Sequence, residues 1–117
     1  MTSKRILLFV SLMTITSFQA FAQTEAINGS IRGRATDPSA TAVPAATVTV
    51  NNVDTGYTRD VQTNDEGYFV IPNLPIGTYT VTIRKDGFET ERHSGVVLNA
   101  GTEGVIDTQL KVGAASL

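Results

Sequence analysis

Residues Thr63 to Val81 read TNDEGYFVIPNLPIGTYTV, and the fold is decided there. Asn64-Asp65-Glu66-Gly67 is turn chemistry: glycine takes positive φ without steric cost, and Asn and Asp favour such reversals. Tyr68-Phe69-Val70-Ile71 is a short apolar strand. Pro72 ends it, because proline has no N–H to give to a ladder. Asn73-Leu74-Pro75-Ile76-Gly77 makes a second corner. Beyond it Tyr79, Val81 and Ile83 alternate with Thr78, Thr80 and Thr82, the period of a half-buried strand. Phe69 and Ile71 share a face, because strand side chains repeat every two residues. Two strands joined by a corner that carries a leucine make a sheet-packing unit. Its expected core is Phe69, Leu74, Tyr79 and Val81, with Tyr79, Val81 and Ile83 returning along a neighbouring strand and Phe88 closing the end.

Other segments extend the pattern in both directions. In Ser30 to Thr36, Ile31, Gly33 and Ala35 fall on one face and Arg32 and Arg34 on the other, giving a first strand with its charged side in water. Asp37 to Pro44 holds two prolines among small residues and reads as a loop. Ala46, Val48 and Val50 alternate with Thr47 and Thr49 as a second strand, and Asp54-Thr55-Gly56 reverses the chain into a third at Tyr57 to Gln62. Asp86-Gly87 signals a hairpin. Phe88 to Leu98 reads as a polar edge strand that becomes apolar at Val96-Val97-Leu98. Glu103 to Val112 is the last strand, with Ile106, Thr108, Leu110 and Val112 on one face. Short strands at this spacing, with no sustained helical period, predict an all-β, seven-stranded antiparallel β-sandwich.

The chain has 117 residues, enough for one domain, and 0 Cys, so no disulfide staples it. Its first stretch reads as a cleaved secretory signal. Lys4 and Arg5 precede the apolar run Ile6 to Val10 with Leu12 and Met13, and Ala20-Phe21-Ala22 supplies an A-x-A cleavage site before Gln23. Ser11, Thr14, Thr16, Ser17 and Gln19 make the segment too polar and short for a span. The expected organisation is 1–22 signal peptide, 23–28 flexible lead, 29–113 sandwich and 114–117 tail, with no membrane span in the mature chain. Loss of Lys4 and Arg5 makes an already acidic chain, net −2, more acidic. That balance excludes nucleic acid, which needs a basic stripe.

No arrangement of residue types points to catalysis, a metal or a cofactor, and the sequence reads as non-enzymatic. His93 is the one histidine and there is no Cys, whereas zinc needs three or four convergent ligands. A Ser94, His93 and Asp107 triad lacks any nucleophile-elbow motif. Asn64, Asp65 and Glu66 lack the alternate spacing of a calcium loop and read as a structural turn. Among the tyrosines, Tyr57, Tyr68 and Tyr79 are the rings on which a glycan could stack. Tyr79 belongs to the apolar face with its hydroxyl at the rim, and Tyr68, opposite Phe69, is the exposed ring.

The order Gly29-Ser30-Ile31-Arg32-Gly33, Asp37-Pro38, Val43-Pro44, Ala46-Thr47-Val48, Thr55-Gly56, Thr63, Asp65, Gly67-Tyr68-Phe69, Leu74-Pro75, Gly77, Tyr79, Val81 and Gly87-Phe88 resembles a carboxypeptidase regulatory-like domain. The resemblance covers Gly29 to Gly113 and implies a transthyretin-like Greek-key sandwich with no catalytic role. A signal peptide directly ahead of such a domain is similar to the N-terminal extension of Oar-like TonB-dependent outer-membrane receptors. That similarity implies a periplasmic, outer-membrane-associated structural or protein-docking module, whose partner is a receptor plug and barrel or another envelope protein. The related starch-binding folds imply the alternative, a carbohydrate-binding module. If the third strand or the strand from Phe88 lies at an edge, strand addition is a further docking mode, with Arg59, Asp60, Glu89, Glu91 and Arg92 as gatekeepers.

The targeting reading is checked by mass spectrometry of exported protein. The mature chain should begin at Gln23, and a secreted species that still carries Lys4 and Arg5 would refute it.

Overall fold

A computed structural model describes residues 28–113. The stretches read as signal peptide, most of the lead and the tail lie outside the described residues. Among the described residues the seven strands are β1 (Asn28–Thr36), β2 (Thr47–Asn52), β3 (Thr58–Gln62), β4 (Tyr68–Pro75), β5 (Gly77–Arg84), β6 (Glu91–Leu98) and β7 (Glu103–Gln109). They form two sheets, one of order β4-β1-β7 and one of order β3-β2-β5-β6. Inward side chains of both sheets meet in one core: Ile31 and Ala35, Val48 and Val50, Phe69, Ile71 and Leu74, Tyr79, Val81 and Ile83, Leu98, Ile106 and Leu110. All neighbouring strands are antiparallel except β1 and β7, which run parallel. The sandwich is therefore mixed at that one pair, because the first and last strands cross the fold in the same direction.

Pro72 does not end the fourth strand. β4 continues to Pro75 because it is an edge strand and Pro72 sits in a bulge, the two settings in which a sheet accepts proline. Gly29 pairs with Leu74 and Ile31 with Ile71, so Pro72 and Asn73 together oppose Ser30 alone. Asn73 takes φ 56°, the left-handed turn that such a bulge uses. The extra residue changes the phase of the strand. Phe69 and Ile71 face inward by simple alternation, which would then turn Asn73 in and Leu74 out. The bulge reverses this, and Leu74 is fully buried while Pro72 and Asn73 are exposed. The Pro72 carbonyl accepts a hydrogen bond from the Arg59 guanidinium at 2.6 Å, which ties β4 to β3 of the other sheet.

The corner after Leu74 carries the chain from one sheet to the other. β4 and β5 are therefore not neighbours in one sheet; their inner residues face each other across the core. Tyr79 is wholly buried, and its hydroxyl donates to the Pro75 carbonyl at 2.6 Å, closing the corner from inside. Phe88 packs half-buried against the core and makes an isolated bridge with Val112 rather than starting a strand. Val112 is 65% exposed, against the expectation that it continues the inner face, because β7 ends at Gln109.

Single polar side chains organise the reversals. The Asn64 carboxamide oxygen accepts from the N–H of Glu66 and Tyr68 at 3.0 and 2.9 Å. Gly67 in the same turn has φ 80°, and a Cβ there would strike the Ala35 carbonyl. Asn52 is buried and accepts from the N–H of Asp54 and Thr55, while Asp37 serves Ser39 and Thr41. Thr63 is buried too. Its hydroxyl donates to the Val43 carbonyl at 2.7 Å and accepts from the Ala46 N–H at 2.9 Å, so the loop between β1 and β2 is held without helix or sheet.

Leu74 tests this account. Truncation of a buried leucine costs about 2–5 kcal/mol, a large share of the roughly 5–15 kcal/mol available to a small domain. Leu74→Ala should lower the denaturant midpoint strongly, and Val112→Ala should leave it nearly unchanged. Equal midpoints for the two variants would remove Leu74 from the centre of the fold.

Candidate docking surface

The outer face of the three-stranded sheet gathers residues from β4, β1 and β7 in two cross-strand rows. Tyr68, Arg34 and Asp107 form one row, and Val70, Arg32 and Val105 the other. The alternation that buries Phe69, Ile31 and Ile106 turns these side chains outward. Tyr68, Val70 and Val105 are 52%, 58% and 55% exposed, so more than half of each is offered to solvent where an isolated sandwich would place polar groups. The charges among them are engaged. The Arg34 guanidinium lies 5.2 Å from the centre of the Tyr68 ring, and its Nε donates to the Glu66 carbonyl at 3.0 Å. An Asp107 carboxylate oxygen accepts from the Arg34 backbone N–H at 3.2 Å, and Arg32 pairs with Glu103. An exposed ion pair contributes only about 0–1 kcal/mol. These contacts act chiefly by fixing side-chain directions: Tyr68 and Val70 on β4 and Val105 on β7 flank the Arg32 and Arg34 side chains of the middle strand, whose charge Glu103 and Asp107 balance.

The outer face of the four-stranded sheet is different in kind. Thr49, Thr80 and Thr82 run across it with Arg84 and Arg92 beside them. Its exposed apolar groups, Val53 and Val97, sit at one end, next to Thr78.

The residues weighed for chemistry are kept apart. His93 comes within 3.4 Å of the Thr108 hydroxyl, on the inner side of β7, whereas Asp107 projects from the outer side of the same strand. Ser94 is exposed in a bulge where Ser94 and Gly95 oppose Thr80. The three groups do not converge. Asn64 spends its side chain on its own turn, and among the described residues no group of three His, Cys, Asp or Glu is placed to hold a metal. The tyrosines lie on three separate surfaces: Tyr57 in the reversal between β2 and β3, Tyr68 on the three-stranded face, Tyr79 in the core. No two of them form a platform across one sheet. The sequence reading singles out Tyr68 but not Val70 or Val105. Val105 joins Tyr68 only through the parallel β1–β7 pairing, for which local sequence gives no signal.

Both strands proposed as edges are edges, and they differ. β6 is kinked by its bulge, with Gly95 at φ 73°, and Glu89 lies outside it, bonded through its N–H to the Lys111 carbonyl. β3 is short, regular and free of bulge and proline. Asn52 bonds to Tyr57 and Ala46 to Thr63 at the two ends of the β2–β3 ladder. Antiparallel alternation then points the backbone groups of Arg59 and Val61 to β2 and leaves those of Thr58, Asp60 and Gln62 facing out. Symmetric pairing of two such edges would set Asp60 against its own copy, and like charges directly opposite are destabilising.

The family model described as carboxypeptidase regulatory-like domain matches residues 30–111. No curated protein matches the chain. Among solved structures, the chain is similar to the TIE protein of Bacillus anthracis, with 21% identity and a TM-score of 0.57 over 73% of this chain and 16% of that one. A type II cohesin–X-dockerin complex from Acetivibrio cellulolyticus gives 23% identity and a TM-score of 0.62 over 77% of this chain and 62% of the other. A protein from Bacteroides uniformis described as carbohydrate-binding gives 17% and 0.58 over 71% and 41%. At these identities the likeness is one of fold, and this chain spans less than two thirds of each of the three.

The β3 edge supplies a check on the geometry. Asp60→Val removes the opposed charges and should promote self-association at high concentration in analytical ultracentrifugation. A variant that remains monomeric would show that β3 is closed to pairing by something other than Asp60.

Proposed function

This chain belongs to the carboxypeptidase regulatory-like domain family, and from that premise we propose that it is an exported, non-catalytic docking module. Its context is the periplasmic side of an Oar-like TonB-dependent outer-membrane receptor, and its partner is the receptor plug and barrel or another envelope protein. The observation that carries the reading is the outer face of the β4-β1-β7 sheet. Large apolar side chains exposed together on one sheet face point to an interaction site, and Tyr and Arg are the residue types that anchor protein interfaces. Tyr68, held under Arg34 and on the same strand face as Val70, with Val105 across Arg32 on β7, combines both. The signal-like residues 1–22 and the resemblance to receptor extensions support the envelope context. That a similar fold occurs in a cohesin–X-dockerin complex is consistent with docking by such sandwiches.

A carbohydrate-binding module is the second reading, and the exposed Tyr68 ring with Asp107 and Gln109 beside it is the observation in its favour. A single ring without a second aromatic on the same face is a thin platform, so the protein-docking reading takes precedence.

Fractionation of the native envelope separates the two. The exported wild-type chain should sediment with outer-membrane protein, and Tyr68→Ala combined with Val70→Asp should release it to the soluble periplasm while its thermal transition is kept. Unchanged partition of the double variant would refute docking through this face. Retention on a polysaccharide gel that Tyr68→Ala abolishes would replace docking by the glycan reading.

A further inference from the structure

Seven paired positions join β1 to β7, from Ser30 opposite Glu103 to Thr36 opposite Gln109. Because the two strands are parallel, the chain enters β1 at one end of this ladder and leaves β7 at the other. The entry lies beside the β6–β7 turn, where the Gly101 N–H donates to the Asn28 carbonyl at 3.1 Å. The exit lies beside the β5–β6 loop, where the Gly113 N–H donates to the Gly87 carbonyl at 2.9 Å. We propose that the β1–β7 ladder is a load-bearing clamp: tension applied through the two ends of the domain shears β1 against β7 along their length. This goes beyond the docking reading and holds whatever binds the outer face.

The geometry decides how the load is shared. The bonds of a parallel ladder are evenly spaced between the strands, so opposite pulls along β1 and β7 load them together over about 20 Å at roughly 3.3 Å per residue. Pulling the same strands apart from one end would break the bonds in turn. Side chains reinforce the same pair. Arg32 pairs with Glu103, the Asp107 carboxylate accepts from the Arg34 N–H, and the Gln109 amide donates to the Asp37 and Pro38 carbonyls at 3.2 and 3.3 Å. β1 is also the middle strand of its sheet, paired with β4 on the other flank, so it has no free side toward which to yield. Below the ladder Ile31, Ala35, Ile106 and Thr108 are buried, and sliding would carry them out of register with the facing sheet. The exit segment is held more lightly, by the Glu89–Lys111 and Gly87–Gly113 backbone bonds, and should peel first and leave the clamp as the main barrier. Resistance of this kind is set by the unfolding rate, not by equilibrium stability.

Single-molecule pulling on the mature chain tests the clamp, and the 0 Cys count lets engineered cysteines serve as unique handles. Asn28→Cys with Val112→Cys applies shear; Asn28→Cys with Ala100→Cys peels the same ladder from its entry end. Shear should rupture the domain at a clearly higher force than peeling. Tyr68→Ala should leave that difference in place even where it abolishes docking, so failure of one proposal is distinguishable from failure of the other. Should Val112→Cys impair folding, Lys111→Cys carries the handle at the same exit. Equal rupture forces in the two geometries, or a lower force in shear, would overturn the proposal.

Discussion

The packing of this sandwich depends on a change of phase within one strand. Strict alternation along β4 would bury Asn73 and expose Leu74; the extra residue at Pro72–Asn73 inverts the pattern one step before the chain leaves the sheet. Three consequences are coupled to it. Leu74 fills the end of the core, Tyr79 can reach the Pro75 carbonyl from the facing sheet, and the carbonyl of Pro72 is turned toward Arg59. A one-residue slip in a half-buried strand moves every apolar side chain to the wrong face. The bulge keeps both halves of β4 correct at the cost of one unpaired position on an edge, where the loss is smallest.

Most of the architecture was legible in the sequence because period-two alternation reports burial directly. β1 and β2 show it without interruption, and β5 departs from it only at Thr80, buried on the outer face; the inner and outer faces are those expected from Ile31, Val48 and Val81. Legibility failed where a tertiary condition overrides a local rule. Pro72 reads as a strand end unless the strand is known to be at an edge. Val112 reads as an inner residue until Phe88 takes the adjoining segment into a bridge. The parallel β1–β7 pair is set by topology alone, since nothing within either strand distinguishes a parallel from an antiparallel neighbour.

The candidate surface was half legible for the same reason. Tyr68 was marked by its position opposite Phe69, and Arg32 and Arg34 by theirs opposite Ile31 and Gly33. What makes them a surface is the arrival of Val105 and Asp107 from the far end of the chain. Gly33 shows how closely the three strands are set: a Cβ there would meet the Ile106 carbonyl and the Phe69 ring, so the middle strand leaves room for its neighbours by having no side chain at that point.

The pairing of first and last strands also governs the order in which the fold can be made. Partners in that ladder lie 73 residues apart, and contacts at long separation must repay their loop-closure entropy before they stabilise anything. As the chain emerges from its N-terminus, β1 can find β4 early, but its other flank stays open until β7 exists. A nascent or truncated chain that stops before Glu103 therefore leaves one flank of β1 as an unpaired strand edge, the kind of edge that recruits other chains. The domain cannot be completed until β7 pairs with β1, and until then that edge stays open.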